Sequence, residues 1–336
     1  MDKWYMSEGE QSDIVISTRI RLARNSADYP FPSRLDKNQK AEIAEKVKSA
    51  IFENDNGNQY NYTDMKSLNR HQAVSLAERH LISAEFASVI DGSGLILSDD
   101  ESVSIMICEE DHIRLQTMQS GLNLENAYEK ADALDRILEK KMNYAFDERL
   151  GYLTASPANL GTAMRASVFL HLPALTFSGQ IPILSNTVSK LGLSISGVYG
   201  NRNHPLGEIY QVSNKITLGI TEKTAITNLN SIILQLVNQE RSSAEREIKN
   251  PVLEDKIYRA LGILKTARLI STDEFMTLIS YVRLGSSLGL CDISAQTLNR
   301  LIIETQPATI TSFYDNIDSV TARDAKRAEI VREAIN

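Results

Sequence analysis

The stretch Leu95-Ile96-Leu97-Ser98-Asp99-Asp100-Glu101-Ser102-Val103-Ser104-Ile105-Met106-Ile107 contains two short apolar runs separated by an acidic connection. Short apolar runs bounded by polar turn residues are typical of buried strands, and a connection of this length predicts a β-hairpin. The two strands of a hairpin run antiparallel. The sequence therefore predicts an antiparallel sheet at the centre of the fold.

Further strand and helix patterns alternate on both sides of this hairpin. A strand is predicted from Asp13 to Leu22, and its alternation puts Arg19 and Arg21, with Arg24 considered as a third cation, on one face. The other predicted strands cover residues 152–154, 193–199 and 209–217. Helices are predicted over about 36–53, 69–86, 124–142 and 162–171, followed by a long helix that ends near residue 248.

The pattern changes after Asn250-Pro251, where three or four amphipathic helices follow with almost no strand signal. We therefore predict an α+β fold, in which an antiparallel sheet flanked by helices precedes an all-α carboxy-terminal domain. The predicted boundary divides the chain into residues 1–248 and 249–336.

Composition excludes several classes of protein. The chain has 336 residues and a formal net charge of −7, which argues against direct nucleic-acid binding over a large surface. Its two cysteines lie far apart, so neither a disulfide framework nor a cysteine zinc site is predicted. No apolar run of about 18 residues and no apolar signal sequence occur, so we expect a cytoplasmic protein without a membrane partner.

The segment Cys108-Glu109-Glu110-Asp111-His112-Ile113-Arg114-Leu115 carries three consecutive carboxylates directly after an apolar strand. If strand alternation continued, Glu110, His112 and Arg114 would share one face and combine a base with a cation. An acidic hairpin with solvated charges is the alternative interpretation of this segment taken alone.

Arginines and a turn-rich loop give a second candidate site. Arg165 follows the loop Ser156-Pro157-Ala158-Asn159-Leu160-Gly161-Thr162, and we expect it beside the start of the helix predicted over 162–171, where amide groups favour anions. Together with Arg19, Arg21 and Arg114 it could hold a polyphosphate, because the planar guanidinium makes paired contacts with phosphate oxygens. Neither a Walker-type loop nor a Rossmann glycine pattern is present.

These motifs, in this order, resemble those of the phosphagen (guanidino) kinases. The resemblance is carried by Ser17-Thr18-Arg19-Ile20-Arg21, the acidic segment 109–114, the loop 156–162 with Arg165, and Ser213-Asn214-Lys215-Ile216-Thr217-Leu218-Gly219. Within that family the chain is most similar to the bacterial protein arginine kinases, because the long amino-terminal domain of the creatine and arginine enzymes is missing and a helical carboxy-terminal region is present.

The resemblance implies roles for individual residues. Glu110 would be the catalytic base and Glu109 would support it. ATP would be bound by Arg19, Arg21, His80, Arg114 and Arg165. Mg²⁺ would accompany the phosphates, although no protein ligand for a metal can be read from the sequence. In the last helix, Arg323, Asp324 and Arg327 resemble the family's phosphoarginine-binding motif.

Four positions depart from the family pattern. Ser196 and Asn201 stand where the family usually has a phosphate-binding arginine and a substrate-binding glutamate. Ser156 and Cys108 replace the usual cysteine and asparagine, and Cys108 is interpreted as a packed thiol. Arg202 is near enough in sequence to be considered as compensation.

Three hypotheses follow from the resemblance and its exceptions. The first is an ATP-dependent protein arginine kinase, whose marked proteins would pass to Clp protease degradation in a stress response. The alternative is a catalytically weakened phosphoarginine-binding adaptor, and a kinase for small guanidino compounds is a third. The resemblance implies as partners proteins with exposed arginine, a Clp-type ATPase, a small zinc-binding activator of the McsA type, a stress repressor and a second copy of the chain in a homodimer.

Overall fold

The hairpin predicted at residues 95–107 is present. In a computed structural model, which describes residues 2–55, 59–88, 92–201 and 205–336, strands β3 (Gly94–Ser98) and β4 (Val103–Ile107) pair antiparallel with Ile96 opposite Ile105. The strands elsewhere in the described residues are β1 (Val15–Arg24), β2 (Tyr60–Asp64), β5 (Ile113–Ser120), β6 (Phe146–Asp147), β7 (Gly151–Tyr152), β8 (Met164–His171), β9 (Leu193–Gly197) and β10 (Ile209–Asn214).

Eight of these strands form one sheet in the order β2-β3-β4-β5-β1-β8-β10-β9. Every neighbouring pair is antiparallel, which confirms the predicted sheet. The short strands β6 and β7 form a separate ribbon. Strands β1, β5 and β8 lie in the middle of the large sheet, so their side chains have neighbours on both sides.

Helices cover both faces of this sheet. Their bounds are α1 (Lys37–Phe52), α2 (Arg70–Glu78), α3 (Leu124–Glu139), α4 (Pro173–Phe177), α5 (Ile181–Lys190), α6 (Glu222–Glu247), α7 (Pro251–Thr266), α8 (Thr272–Ser287), α9 (Ala295–Glu304), α10 (Pro307–Phe313) and α11 (Val320–Ile335). None of the helices in the described part of the chain combines the length and the apolar character needed to cross a membrane.

The helix predicted over residues 162–171 is wrong, because this segment is strand β8. Its side chains are buried except for that of Arg165, so the sequence has no alternation of apolar and polar residues to indicate a strand. A short continuous apolar run cannot be assigned to a strand or a helix from its periodicity. Arg165 therefore lies on a central strand and not at the start of a helix.

Two other predicted helical regions need correction. The helix predicted over 69–86 is α2, which ends at Glu78 because His80 adopts a left-handed backbone conformation with φ of 61°. After residue 250 the described chain forms five helices, including the short α10, where three or four were predicted.

The sheet has a different helical layer on each face. Helices α1, α3 and α6 pack against one face, where Ile20, Leu22 and Leu115 belong to the main core. Helices α7, α8, α9 and α11 pack around Met118 and Phe169, which lie on the opposite face. The division at residue 248 stays a prediction, since the carboxy-terminal helices bury apolar side chains directly against the sheet.

Candidate active site

Four arginines come together on the sheet face that also carries Met118 and Phe169. Arg21 and Arg165 are direct partners across β1 and β8, and Arg114 on β5 lies diagonally across from Arg21. Arg19 is two residues from Arg21 on the same face and lies over the ring of Phe169, with 4.9 Å from its guanidinium carbon to the ring centroid. The sequence prediction that these four cations are neighbours is confirmed by the sheet register.

Arg24 does not belong to this group. Its side chain is buried on the opposite face, where it donates to Asp135 from Nε at 3.0 Å and from Nη2 at 2.8 Å and lies 3.5 Å from the ring centroid of Tyr152. Strand alternation explains the difference, because residues 19 and 21 point to one face and residue 24 points to the other.

The arginine cluster holds more positive charge than its surroundings neutralise. Burial lowers the pKa of Arg21 to about 9, and repulsion by Arg114 and Arg165 adds to this effect. Burial and the other three arginines also lower the pKa of Arg19 well below its usual value. The buried Nε atoms of Arg19 and Arg21 have no hydrogen-bond partner among the described residues. Such a site favours a polyanion, which would satisfy these donors.

The acidic segment is the turn between β4 and β5, and its first two glutamates differ in exposure. Glu109 accepts Arg114 Nη1 at 2.6 Å, and its side chain is 5% exposed. Glu110 receives Arg114 Nη2 at 3.2 Å, and its side chain is 45% exposed. Burial raises the pKa of Glu110; the charge of Arg114 lowers it, and the carboxylates of Asp111, Glu109 and Glu85 raise it further. Glu110 is thus the open carboxylate beside the arginines, and its exposure leaves it able to reach a proton on a substrate.

Asp111 and His112 hold the turn in place and do not face the arginines. Buried Asp111 accepts the side-chain amide of Asn25 at 2.6 Å and the backbone N–H of Ala155 at 2.8 Å. His112 is also buried: its Nδ1 accepts the N–H of Ser26, and its Nε2 donates to Pro30 O at 2.8 Å. Burial lowers the pKa of His112. The predicted common face of Glu110, His112 and Arg114 is wrong because residues 108–112 turn instead of extending β4.

His80 lies at the border between the arginine cluster and the carboxy-terminal helices. Its ring packs between Phe169 and Tyr199, with ring centroids 5.3 and 5.2 Å away, and Nε2 is 2.9 Å from the Tyr199 hydroxyl. Burial, together with the charges of Arg19 and Arg21, lowers the pKa of His80 to about 3. The imidazole is therefore neutral at physiological pH, and its predicted contact with a nucleotide base stays a prediction.

Two sequence motifs meet beside Arg165. Thr217 accepts the backbone N–H of Thr162 at 3.0 Å and donates its hydroxyl to Ala158 O at 3.2 Å, which joins the loop 156–162 to the segment after β10. Gly161 is required there, because its φ is +99° and a Cβ atom would collide with the Thr217 carbonyl. The half-buried Ser156 belongs to this loop.

The structure also locates the other positions at which the sequence departs from the expected family pattern. Ser196 is half-buried on β9 and is the direct cross-strand partner of Gln211. Asn201 is exposed beyond the end of that strand, and Arg202 lies outside the described residues. Cys108 is buried, and burial raises the pKa of its thiol to about 11, which agrees with its interpretation as a packed thiol.

Gln211 and Ser83 are site residues that the sequence interpretation did not include. Gln211 accepts Arg19 Nη2 at 2.9 Å and donates to Ser167 Oγ at 3.2 Å. Ser83 donates to Glu109 Oε1 at 2.6 Å. Strand alternation could have placed Gln211 on the correct face, but only once β10 was known to lie beside β8. No sequence pattern indicates Ser83.

The phosphoarginine motif predicted on α11 lies apart from these residues. Arg327 is fully buried and donates to the backbone oxygens of Thr305 at 3.0 Å and Ile270 at 2.7 Å, and also to Asp324 at 2.7 Å. Arg323 is half-buried. The internal bonds of Arg327 show that it connects α11 to the end of α9, while ligand binding by the motif stays a prediction.

In the described part of the chain, no three His, Cys, Asp or Glu side chains converge to hold a metal ion. Mg²⁺ is often bound mainly through substrate phosphates and one or two carboxylates. The arginine cluster beside Glu110 fits a metal that arrives with a nucleotide, and Mg²⁺ stays a prediction.

An open carboxylate beside clustered, poorly neutralised arginines can accept a proton from a nucleophile while the arginines stabilise a transferring phosphoryl group. The fold and site thus define a phosphotransferase. The family model described as ATP:guanido phosphotransferase, C-terminal catalytic domain, matches residues 42–243. The model described as protein-arginine kinase McsB C-terminal domain matches residues 250–336. The chain belongs to the ATP:guanido phosphotransferase family, which uses ATP, and within it to the protein-arginine kinases.

Similar proteins extend over the full length of the chain. A protein-arginine kinase of Clostridium acetobutylicum is 42% identical over 99% of both chains. One from Geobacillus stearothermophilus is 41% identical over 99% of this chain and 93% of its own.

Solved structures show the same fold. The duplicated taurocyamine kinase of Schistosoma mansoni, with bound transition-state-analogue components, is 29% identical with a TM-score of 0.61, over 70% of this chain and 34% of that one. The chain thus spans about a third of that kinase. Lombricine kinase, 23% identical with a TM-score of 0.61 over 72% of both chains, agrees in fold.

Proposed function

We propose that this chain transfers the γ-phosphoryl group of ATP to arginine side chains of proteins. The observation that carries this proposal is an open carboxylate, Glu110, beside a cluster of four arginines. Arg114 is paired with Glu109 and Glu110, whereas the buried Nε atoms of Arg19 and Arg21 have no partner among the described residues. The full-length relatives named protein-arginine kinase support arginine in proteins as the acceptor. Catalytically, Mg²⁺ would supply further neutralisation of the phosphate charge.

The chemistry assigns different tasks to the charged groups. The substrate guanidinium loses a proton to the Glu110 carboxylate, its nitrogen forms a bond to the γ-phosphorus, and the bond from that phosphorus to the β-phosphate oxygen breaks to release ADP. Arg19, Arg21, Arg114 and Arg165 stabilise the charge on the phosphoryl oxygens. Glu109 keeps Arg114 in position through its 2.6 Å ion pair.

The test is incubation of the purified chain with ATP, Mg²⁺ and an unstructured, arginine-containing protein, followed by mass spectrometry under conditions that preserve phosphoarginine. We expect Glu110→Gln to lower phosphoarginine formation by about 100-fold to 10,000-fold, because an amide cannot accept the proton. Glu148→Gln is the matched control, since Glu148 is exposed outside the site. Equal activity of the two variants would contradict the role of Glu110.

The same experiment separates the competing functions. Free arginine as the preferred acceptor would indicate a kinase for small guanidino compounds. Binding of free phosphoarginine without transfer, in the presence or absence of a small zinc-binding activator, would indicate the adaptor that Ser196 and Asn201 suggest.

We further propose that proteins marked in this way pass to a Clp-type ATPase during stress, and that the chain acts as a homodimer in the cytoplasm. The support is the resemblance to the protein arginine kinases. Co-purification with a Clp-type ATPase, the activator and a stress repressor, compared between wild type and Glu110→Gln, tests these partners. If none of these partners co-purified with wild type or with Glu110→Gln, the result would contradict the proposal.

A further inference from the structure

Glu109 is fixed by three hydrogen bonds within the chain. Its Oε1 atom accepts Arg114 Nη1 at 2.6 Å and the Ser83 hydroxyl at 2.6 Å, and its Oε2 atom accepts the backbone N–H of Glu110 at 3.0 Å. Because both oxygens are occupied and the side chain is nearly buried, Glu109 is poorly placed to contact a substrate. Its bonds instead set the position of one phosphate-facing arginine and the backbone of the open carboxylate.

Of the three donors to Glu109, Ser83 is the one that lies outside the turn between β4 and β5 and outside β5 itself. The segment leading to it is itself anchored to the sheet, since Gln116 Nε2 donates to His80 O at 2.7 Å and Ser104 donates to Leu81 O at 2.5 Å. The hydroxyl of Ser83 also accepts the backbone N–H of Phe86 at 3.2 Å. Ser83 thus joins the segment after α2 to the carboxylate that holds Arg114.

We propose that Ser83 is a positioning residue for the proposed kinase reaction, which acts through Glu109 on Arg114 and Glu110. This inference rests on the proposed function. Without the Ser83 hydroxyl, Glu109 keeps its charge but loses one of the two donors to its Oε1 atom. Arg114 then follows Glu109 away from the phosphate position, so nucleotide binding and transfer weaken together.

Three substitutions separate this role from a purely structural one. Ser83→Ala removes both hydrogen bonds, and Ser83→Thr retains both. Ser83→Asp retains an acceptor for the Phe86 N–H but removes the donor to Glu109 and adds a like charge beside it. Ser88→Ala is the matched control, because Ser88 is an exposed serine of the same short segment.

The measurements are the Kd of ATP with Mg²⁺ by calorimetry, the kcat of transfer, and thermal unfolding of the full chain. We expect Ser83→Ala and Ser83→Asp to raise the Kd about fivefold and to lower kcat about tenfold, a size typical of one hydrogen bond to a charged group. Ser83→Thr and Ser88→Ala should stay within about twofold of wild type, because neither removes the bond to Glu109.

The outcomes distinguish this inference from the proposed function. The positioning role would be overturned if Ser83→Asp had wild-type ATP affinity and turnover. It would also be overturned if Ser83→Thr were as impaired as Ser83→Ala. A wild-type chain that binds ATP but transfers nothing would contradict the kinase proposal, while the comparison of ATP affinities would still decide the role of Ser83.

Discussion

Ser196 is the residue at which the resemblance to the guanidino kinases leads us to expect a phosphate-binding arginine. It lies on the sheet face of the arginine cluster, opposite Gln211, which in turn binds Arg19. We expect Ser196→Arg to raise the kcat of arginine phosphorylation by about 10-fold to 100-fold, because one further charge-assisted contact would stabilise the transferring phosphoryl group. The rate of phosphoarginine formation at saturating ATP measures the effect.

The adjacent row of the sheet provides a control for this substitution. Ser194 is on the same face of β9 but pairs with Ser213, whose hydroxyl is 3.2 Å from its own. Ser194→Arg adds the same charge but breaks that contact, so it should raise kcat less than Ser196→Arg does. Equal gains in both variants would mean that any added positive charge helps, and no gain in Ser196→Arg would show that position 196 does not reach the phosphates.

At this scale the sequence predicts which residue types meet but not how they divide the work. Strand alternation correctly groups Arg19 with Arg21, and the sheet register adds Arg114 and Arg165. Glu109 is nearly buried and fixed, whereas Glu110 is exposed. Glu109 is fixed by Ser83 and Arg114, whose side chains reach the turn from other elements. Contacts between distant segments leave no local pattern, so this difference could not be predicted.

The contact between α2 and α10 shows how one element stabilises another. The Glu78 carboxylate accepts the backbone N–H groups of Ala308 at 3.0 Å and Thr309 at 2.8 Å, and also the Thr309 hydroxyl. The N-cap residue of α10, Gln306, makes no side-chain cap. Glu78 therefore takes the place of a local cap and adds a negative charge at the positive end of the helix.

We expect Glu78→Gln to lower the free energy of unfolding by about 1 to 2 kcal/mol, since a neutral amide offers one acceptor oxygen in place of two. Urea unfolding measures the change. Glu45→Gln, which disrupts an exposed ion pair with Lys48, should cost less than about 0.5 kcal/mol. Equal losses in the two variants would contradict the capping role.

Predictions of whole elements succeed where apolar and polar residues alternate and fail where burial is complete. Helices α1, α3 and α6 each have an apolar stripe and a polar face, and their predicted bounds agree with the structure to within a few residues. Strand β8 is buried on both faces, so its sequence lacks the alternation that marks a strand. Only its place between β1 and β10 settles the assignment.

Over the whole molecule, the two faces of the sheet are used differently. One face is covered by α1, α3 and α6, while the other is shared between the carboxy-terminal helices and the arginine cluster. Phe169 is at the junction, because it packs in the second core and also lies under Arg19. The sequence predicts a helical carboxy-terminal region but not this shared face, which depends on strand order.

Burial of histidines predicts how the stability of the whole chain depends on pH. Burial and the charge of Arg283 lower the pKa of His171 well below its usual value, and His80 and His112 are lowered as well. Below the ordinary histidine pKa of about 6.5, the unfolded chain therefore binds more protons than the folded chain. Each such histidine lowers the free energy of unfolding by up to about 1.4 kcal/mol per pH unit as the pH falls.

A single variant isolates one of these contributions. Burial raises the pKa of Glu240 to about 7, so protonation of Glu240 below that pH increases the free energy of unfolding. This contribution is the same in wild type and in a histidine variant, so it cancels when the two are compared. His171→Gln removes a titrating group whose Nε2 is 2.8 Å from Ser280 Oγ. When the pH falls from 6.5 to 5.5, the free energy of unfolding should decrease by about 1 kcal/mol more in wild type than in His171→Gln, as measured by urea unfolding. The control is His71→Gln, at an exposed position, whose free energy of unfolding should depend on pH as that of wild type does. If the free energies of unfolding of wild type and His171→Gln instead changed in parallel with pH, His171 would become protonated within the folded chain.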